Sequence, residues 1–449
     1  MKGTKFKRKF SNFHRCRGRH VTDVHHACGK VHYMSDLEKK IDIGSACSLS
    51  FGSHAKKGKA EYTDEEAELH AKEVGARPRP KETISEIDER GAFIRQPNAF
   101  IKGFGAKDDE FKAEANRFAI YWAHGCHWSN RPVIVRDILG LDKVISEVHT
   151  THSGETNVYG HGFADYPGHK DPLAGAYFLS EFYKNADPEY KGRATTPTFV
   201  DLKEKKAVNN DYHRLTNYIE VQFRPFQPVD APDLYPKKYR KEIDEFNDWL
   251  FPHINNGHYR MAFCQSWEAY DEAYEDFFDS LEKLDKRLSE NRFIFGDYIT
   301  DSDVRLYVTL VRWETSYYRN VGPIKKRITE YPNIWGYVKD LFSLDVFRRY
   351  TFFEFPKDGG PDLFRSYAYR IASQVPYDTL WKTDGERKKL SADPENVYLK
   401  HPAGETAEDY QSEISTTIWN SPSWEDRNPK NGVLTQDASI NPIVSKLRS

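Results

Sequence analysis

Hydrophobic and polar positions alternate most regularly between residues 115 and 225, where short apolar runs are separated by segments of helical periodicity. A parallel β-α-β arrangement is followed by an antiparallel β-β-α arrangement, which is the order of elements in a thioredoxin-like α/β domain. The predicted elements are strands at 117–124, 144–150, 196–202 and 206–210, and helices at 127–140, 173–186 and 211–223.

From about residue 235 to 345 the periodicity is helical throughout, which predicts an all-α domain. The longest predicted helix, 267–290, repeats apolar residues every three or four positions, as a helix does when one face packs against a core. Another helix begins at Thr300, with Asp303 three residues later in the arrangement of a capping box. The apolar stripe of the long helix consists of Tyr270, Ala273, Phe277, Leu281, Leu284 and Leu288.

Composition divides the chain into four parts. Residues 1–90 are a basic leader with a polar extension, and 91–225 and 235–345 are the thioredoxin-like and all-α domains. Residues 346–449 alternate turns with short aromatic patches, which predicts an extension that wraps the helical domain. The leader has no apolar run and is therefore not a secretory signal; it fits a disordered leader or an early start codon, or else a transit-like or nucleic-acid-touching tail.

Charge and cysteine usage narrow the class of function. The formal net charge of −2 over 449 residues gives no indication of a nucleic-acid partner. No stretch approaches the roughly 20 apolar residues that a membrane helix needs. The five cysteines are scattered and odd in number, which argues against a disulfide framework and for a reducing compartment, here the cytoplasm.

The stretch YWAHGCHWSNRP places Cys126 after a predicted strand and at the start of a helix. A helix N-terminus carries partial positive charge, which stabilises the nucleophilic thiolate, and protonated His124 or His127 would stabilise it further. The alternative is that Cys126 is an unreactive small side chain, buried near the end of the strand. A metal site on these residues needs another ligand, and its suppliers would be His149, His152, His161 or His169, so we predict none.

Two further motifs belong to the same predicted domain. Pro197 begins the third strand, where proline is commonly cis, so that the backbone of Thr196 lies at an exposed edge and can pair with a thiol peptide. The alternative is an ordinary proline at a strand start. In NNDYH, Asn210 or Asp211 can cap the following helix, and the acid can also pair with an ammonium group.

These elements, followed by an all-α domain, resemble a glutathione transferase. The stretches NRPVIVRDILGLDKVIS, YKNADPEYKGRATTPTFVD, YPNIWGYVKDLF and the long run from NNGHYR to TLVRW closely resemble the Xi class, the glutathionyl-hydroquinone reductases. The resemblance covers about residues 90–345. It implies a homodimer, glutathione as the thiol co-substrate and a small aromatic substrate of the quinol type.

The resemblance also implies a mechanism. A cysteine, here Cys126, attacks the sulfur of a glutathionyl-hydroquinone, and a second glutathione resolves the mixed disulfide. Thr196 and Pro197 match the element that pairs with the glutathione backbone. Tyr259, and Tyr317 or Tyr318, match tyrosines that face the quinol, where a phenol can hydrogen-bond the quinol oxygen and help to protonate the ring carbon. Buried core tyrosines are the alternative.

The sequence departs from the family around the thiol. The family motif C-P-W-A is here Cys126-His127-Trp128-Ser129, and Asp211-Tyr212 stands where the family has Glu-Ser. His161 in GHGF falls near a family tryptophan, and the family's C-terminal segment is not recognisable after residue 350. We therefore keep three alternatives open: another low-molecular-weight thiol or aromatic substrate, a non-catalytic binding protein of the same fold, and a metal-dependent enzyme.

Overall fold

The computed structural model describes residues 64–74, 86–95, 98–105, 111–150, 160–163, 165–315, 317–351, 381 and 383–402. All of these residues belong to one compact unit that spans residues 44–449. Residues 1–63 of the predicted leader and extension, His152 and the tail beyond residue 402 lie outside the described residues.

The strands and helices follow the order that the sequence predicts. The strands are β1 (Phe118–Trp122), β2 (Ser146–His149), β3 (Thr198–Asp201) and β4 (Lys206–Asn209). The α-helices are α1 (Asp64–Val74), α2 (His127–Ile138), α3 (Leu179–Ala186), α4 (Leu215–Gln222), α5 (Arg240–Leu250), α6 (Gly257–Phe263), α7 (Trp267–Glu290), α8 (Asp301–Thr315), α9 (Pro332–Ser343) and α10 (Asp345–Arg349).

The four strands form one sheet in the order β2-β1-β3-β4. The β1–β2 pair is parallel, and the β1–β3 and β3–β4 pairs are antiparallel. This topology confirms the predicted thioredoxin-like sheet. All five residues of β1 are buried, because the strand is covered on both faces, and such a strand has a continuous apolar sequence rather than an alternating one.

Two helices begin later than predicted, because aspartate side chains hold the preceding backbone in turns. The helix predicted from residue 173 begins at Leu179, since the Asp171 carboxylate accepts the backbone N–H groups of Leu173, Ala174 and Ala176. The helix predicted from residue 211 begins at Leu215, since the Asp211 carboxylate accepts the N–H of His213. The intervening residues therefore form turns.

The long helix α7 buries the predicted stripe except for Tyr270, which is half-buried. At the start of α8, Asp303 Oδ2 accepts the backbone N–H of Thr300 at 2.9 Å, which is one half of the predicted capping box. The Thr300 hydroxyl donates to the same oxygen at 3.0 Å. Asp303 Oδ1 accepts the N–H of Ile294 and the hydroxyl of Tyr337, both at 2.9 Å, so this buried carboxylate joins three elements.

Two irregular segments run over the regular elements. The segment 98–105 lies along β4, where the N–H of Phe100 donates to Asn210 Oδ1 at 3.0 Å. Residues 383–402 run along the helical part, where the N–H of Ile299 donates to the carbonyl of Val397 at 2.8 Å. Within the described residues, no helix has the length and apolar character to cross a lipid bilayer.

Candidate active site

Cys126 is the N-cap residue of α2, directly after the loop that follows β1. Its carbonyl accepts the N–H groups of Ser129 and Asn130, which begins the helix at the predicted position. Its Sγ lies 3.6 Å from the carbonyl oxygen of Thr196. The side chain is fully buried, and the structure thus brings together the predicted nucleophile and the predicted backbone-pairing element.

The Thr196–Pro197 peptide bond is cis, as the sequence predicts. The side chain of Thr196 is buried, and β3 begins two residues later, at Thr198. The carbonyl of Thr196 is therefore fixed at the start of a central strand, beside the sulfur. Backbone groups in that position can pair with an extended peptide that lies against Cys126.

The two histidines beside Cys126 are neutral. Burial, together with the charges of His149 and Arg312, lowers the pKa of His124 to about 3. Burial, together with Arg131, Arg95, His258 and Arg312, holds the pKa of His127 well below its ordinary value. The expectation that protonated histidines stabilise a thiolate is therefore wrong, because desolvation and neighbouring cations disfavour the imidazolium.

His127 lies between the start of α2 and the predicted substrate tyrosines. Its Nδ1 is 2.9 Å from the hydroxyl of Thr309 on α8. Its ring centroid is 5.5 Å from that of Tyr259 and 5.5 Å from that of Tyr317. The residue that replaces the family proline therefore lies beside both tyrosines.

Tyr259 and Tyr317 form a buried pair, with their hydroxyl oxygens 3.2 Å apart. The imidazole of His258 stacks on Tyr317 at a centroid distance of 4.1 Å. The ring of Tyr318, the other candidate, lies under the guanidinium of Arg327 at 5.2 Å. Of the two adjacent tyrosines, the structure brings Tyr317 to Tyr259.

An aromatic wall with a cation above it forms another side of the site. The ring of Trp128 lies 5.0 Å from that of Tyr212, which stands at a departure from the family. The guanidinium of Arg95 lies 4.6 Å from the ring of Trp128 and 4.5 Å from that of Tyr259. Its Nε donates to Asn256 Oδ1 at 2.8 Å, which fixes the segment around Arg95 against the start of α6.

The two remaining predicted residues are held by hydrogen bonds within the protein. Asp211 Oδ1 accepts the N–H of His213 at 3.1 Å and the side-chain amide of Asn98 at 3.3 Å, so it holds the turn before α4. The predicted helix cap is wrong, because α4 begins at Leu215 after Arg214 and no side chain caps it. His161 Nδ1 is 3.2 Å from the hydroxyl of Thr150, next to the end of β2. These contacts explain how both side chains are held without requiring a ligand.

Sequence reasoning missed the arginines of the site. Arg131 on α2 and Arg312 on α8 are buried, and both interact electrostatically with Cys126. Arg312 donates to the carbonyl of His124, and the guanidinium of Arg131 lies 4.5 Å from the ring of Trp128. Arginine is rarely buried without a partner, but its burial depends on the packing of α2 against α8, which the sequence pattern does not reveal.

The structure also shows how the possible metal ligands and the cysteines are arranged. Among the residues that the structure describes, no group of three or more His, Cys, Asp or Glu side chains is arranged to hold a metal ion. Cys126 and Cys264 are free thiols, and Cys264 is only half-buried.

A thioredoxin-like sheet followed by an all-helical part, with a cysteine at the start of the helix after β1 and a cis-proline beside it, defines a protein of the glutathione transferase fold. Residues 268–340 match the family model of the glutathione S-transferase C-terminal domain. The chain is 33% identical over 257 residues to the glutathionyl-hydroquinone reductase PcpF of Sphingobium chlorophenolicum. The matched region covers 56% of this chain and 79% of that protein. It is 35% identical over 236 residues to the glutathionyl-hydroquinone reductase YqjG of Escherichia coli, and the matched region covers 52% of this chain and 71% of that protein.

Solved structures of glutathione transferases are also similar to this chain. The Xi-class transferase of Phanerochaete chrysosporium superposes with a TM-score of 0.55 at 30% identity, covering 59% of this chain and 86% of that one. The glutathione-bound structure of YqjG superposes with a TM-score of 0.54 at 29% identity, covering 66% and 97%. The chain belongs to the Xi-class glutathione transferases, the enzyme family of the glutathionyl-hydroquinone reductases.

Proposed function

We propose that the protein is a glutathione-dependent reductase that removes the thiol from glutathionyl-hydroquinone-type conjugates through Cys126. The names of the relatives support glutathione as the co-substrate and a quinol conjugate as the substrate. The observation that carries the proposal is the position of Cys126, which begins α2 with its sulfur 3.6 Å from the carbonyl of Thr196. A conjugate paired with that backbone would present its sulfur to the nucleophile.

The proposed reaction has two displacement steps at sulfur. In the first, the Cys126 thiolate attacks the sulfur of the conjugate, so that an S–S bond forms and the bond from sulfur to the aromatic carbon breaks. The electron pair of the broken bond goes to the ring carbon, which takes up a proton and leaves as the hydroquinone. In the second, the thiolate of another glutathione attacks the mixed disulfide, which releases glutathione disulfide and regenerates the Cys126 thiolate. The proton of the second thiol balances the proton that the ring carbon gains.

Tyr259 and Tyr317 are assigned to the aromatic half of the conjugate. A phenol is a hydrogen-bond donor with an ordinary pKa near 10, and it can both bind a quinol oxygen and supply a proton to the ring carbon. Because the two hydroxyls lie 3.2 Å apart, one can donate to the other while the second keeps its proton for the substrate. Burial of the pair excludes water from the carbon that takes up the proton.

The thiol half is assigned to the elements around the cis-proline. Thr196 and Pro197 pair with the peptide backbone of the thiol, and Trp128 and Tyr212 form the wall beside it. Asp211 binds its ammonium group. His161 is assigned to the edge of the same pocket, and His127 to the boundary between that pocket and the tyrosine pair, where each replaces a family residue. These departures favour, as a second reading of the same chemistry, a low-molecular-weight thiol other than glutathione.

The burial of Cys126 favours a second candidate function. A nucleophile without solvent exposure must be uncovered before a conjugate can reach it, and a cysteine that stays covered would make the protein a non-catalytic binding member of the fold. A measurement of turnover distinguishes the reductase from the non-catalytic binding protein. The homodimer, the cytoplasmic location and the division into domains at 91–225 and 235–345 are likewise proposals for this chain.

Product stoichiometry tests the proposed function. The purified protein is mixed with a glutathionyl-hydroquinone and glutathione, and hydroquinone and glutathione disulfide are quantified by chromatography. We expect one hydroquinone and one glutathione disulfide per conjugate consumed, with no turnover by Cys126→Ser. Turnover with another thiol in place of glutathione would assign the co-substrate, and turnover that survives Cys126→Ser would exclude the proposed role of the cysteine.

A further inference from the structure

His127 has a buried ring nitrogen that makes no hydrogen bond within the described part of the chain. The side chain is fully buried, and its Nε2 has no partner among the residues that the structure describes. The other ring nitrogen, Nδ1, lies 2.9 Å from the hydroxyl oxygen of Thr309. Because the imidazole is neutral, one nitrogen carries the proton and the other is an acceptor, so the role of Nε2 follows from the bond at Nδ1.

The hydrogen bonds of Thr309 decide which nitrogen carries the proton. The side-chain nitrogen of Asn255 donates to the carbonyl of Arg305 at 3.0 Å, and a carbonyl can only accept, so this atom is the amide nitrogen. The same nitrogen donates to the hydroxyl oxygen of Thr309 at 2.7 Å. Among the described residues, the remaining partner for the hydroxyl proton is Nδ1 of His127. Nδ1 is therefore the acceptor, and the proton of the imidazole is on Nε2.

The Nε2–H group of His127 is thus a buried donor without an oxygen or nitrogen acceptor in the described structure. Such groups are rare in folded proteins, because an unmade hydrogen bond destabilises the folded state. The ring of Tyr317 lies edge-on at 5.5 Å from that of His127, but a contact between an N–H and an aromatic face is a weak substitute. The donor therefore lacks an acceptor that a ligand can supply.

Two more buried ring nitrogens around the tyrosine pair lack partners. Trp128 Nε1 and His258 Nδ1 have none among the described residues. The ring centroid of Trp128 is 5.9 Å from that of Tyr259, and the ring centroid of His258 is 4.1 Å from that of Tyr317. With Nε2 of His127, three unpaired polar atoms lie on rings beside one pair of phenols. This arrangement is unlike an apolar core, and it fits a site that binds the polar atoms of an aromatic ligand.

We propose that His127 is a specificity-determining residue, which donates a hydrogen bond from Nε2 to a ring oxygen of the aromatic half of the conjugate. The role rests on the proposed function, which assigns that half to Tyr259 and Tyr317. It deepens that function by naming what the site recognises, namely an aromatic ring that carries an oxygen acceptor. An analogue without ring oxygens would leave the N–H buried and unpaired, and the site would discriminate against it.

Binding of two conjugates to Cys126→Ser tests this role without turnover, because the nucleophile is absent. One ligand is a glutathionyl-hydroquinone, and the other is S-phenylglutathione, which lacks both ring oxygens. Isothermal titration calorimetry gives the two dissociation constants, and we expect the hydroquinone conjugate to bind more tightly. Adding His127→Asn, whose Oδ1 can replace Nδ1 as the acceptor for Thr309, should reduce this preference by about 10-fold. Adding His127→Gln, whose amide nitrogen can replace Nε2 as the donor, should retain more of it.

His253→Asn is the matched control, because His253 is bonded to Asp276 instead, and this variant should leave the preference unchanged. A folded His127→Asn protein with the original preference overturns the proposal, as does the absence of binding by both conjugates. If His127→Asn does not fold, nitrogen-15 NMR of the histidines in the unmodified protein decides. A proton on Nε2 of His127 supports the role, and a proton on Nδ1 excludes it. A protein that shows the preference but does not turn the conjugate over would contradict the proposed reaction alone.

Discussion

The hydroxyl oxygens of Tyr259 and Tyr317 lie 3.2 Å apart, although the two residues are 58 positions apart in the chain. Tyr259 is on α6, and Tyr317 is on the short turn after α8. Both side chains are fully buried, and His127 at the start of α2 lies 5.5 Å from each ring. The pair therefore joins the helical part of the protein to the helix that carries the nucleophile.

Removal of either phenolic hydroxyl should slow turnover without preventing attack by Cys126. We expect Tyr259→Phe and Tyr317→Phe each to lower kcat for a quinol conjugate by about 100-fold, because the ring carbon loses its proton donor. The double variant should lose less than the product of the two effects, since the hydroxyls share one hydrogen bond. Steady-state kinetics with all three variants measures this.

Tyr318→Phe is the control for the tyrosine variants, because its ring packs with Arg327 and its effect on kcat should be the smaller. If Tyr318→Phe lowered kcat more than Tyr317→Phe, the assignment of the pair would be wrong. Glutathionylation of Cys126 by glutathione disulfide should persist in every tyrosine variant.

Asp303 should be a major contributor to the stability of the helical part. Asp303→Ala would leave the N–H groups of Ile294 and Thr300 and the hydroxyl of Tyr337 without their acceptor. Each buried donor left unpaired costs about 1–3 kcal/mol, so the free energy of unfolding should fall by at least that much. Urea denaturation measures it, and a loss below about 0.5 kcal/mol, typical of a surface substitution, would contradict this account.

Asp303 also predicts a dependence of stability on pH. Burial raises the pKa of its carboxyl from 3.8 to about 6, although hydrogen bonds from Ile294, Thr300 and Tyr337 oppose the shift. The folded protein then binds a proton that the unfolded chain has released, so the stabilisation from this group is fully present below pH 3.8 and is lost as pH rises to about 6. Relative to Asp303→Asn, the unfolding free energy of the unmodified protein should fall over that window and stay level above it.

The variant His127→Pro restores the proline of the family. It distinguishes an effect of the charge of the imidazole from an effect of the shape of its ring. Proline is well tolerated at the first position of a helix, so α2 should form. Because neutral His127 has no charge to lose, the pH midpoint of kcat/KM should stay where it is in the unmodified protein. The KM for the conjugate should rise, since the ring between Tyr259 and Tyr317 is lost. A midpoint shift of a full pH unit would show that the imidazole is charged after all.

The sheet and the position of Cys126 were predictable from sequence, because β1 is a continuous apolar run and the helix pattern begins directly after the cysteine. The late starts of α3 and α4 were not, because Asp171 and Asp211 hold the local backbone through side-chain hydrogen bonds that hydrophobic periodicity does not record. The choice between Tyr317 and Tyr318 also needed the structure, since adjacent residues on a turn point in different directions.

The electrostatics of the site were the least predictable part. His124 and His127 flank the cysteine in sequence, and their charge state depends on burial and on arginines from other elements. Arg95, Arg131 and Arg312 come from three separate segments that meet only in the folded chain. Charge at the site is therefore a property of the packing of α2, α8 and the segment around Arg95.

The most direct test of the central claim is intact-mass analysis after incubation with glutathione disulfide, in a protein whose cysteines other than Cys126 are replaced by serine. We predict one added glutathionyl group, located on Cys126 by peptide mapping and released by free glutathione. A protein that stays unmodified, with Cys126 also inert to small alkylating reagents in the folded state, would contradict the proposed nucleophile.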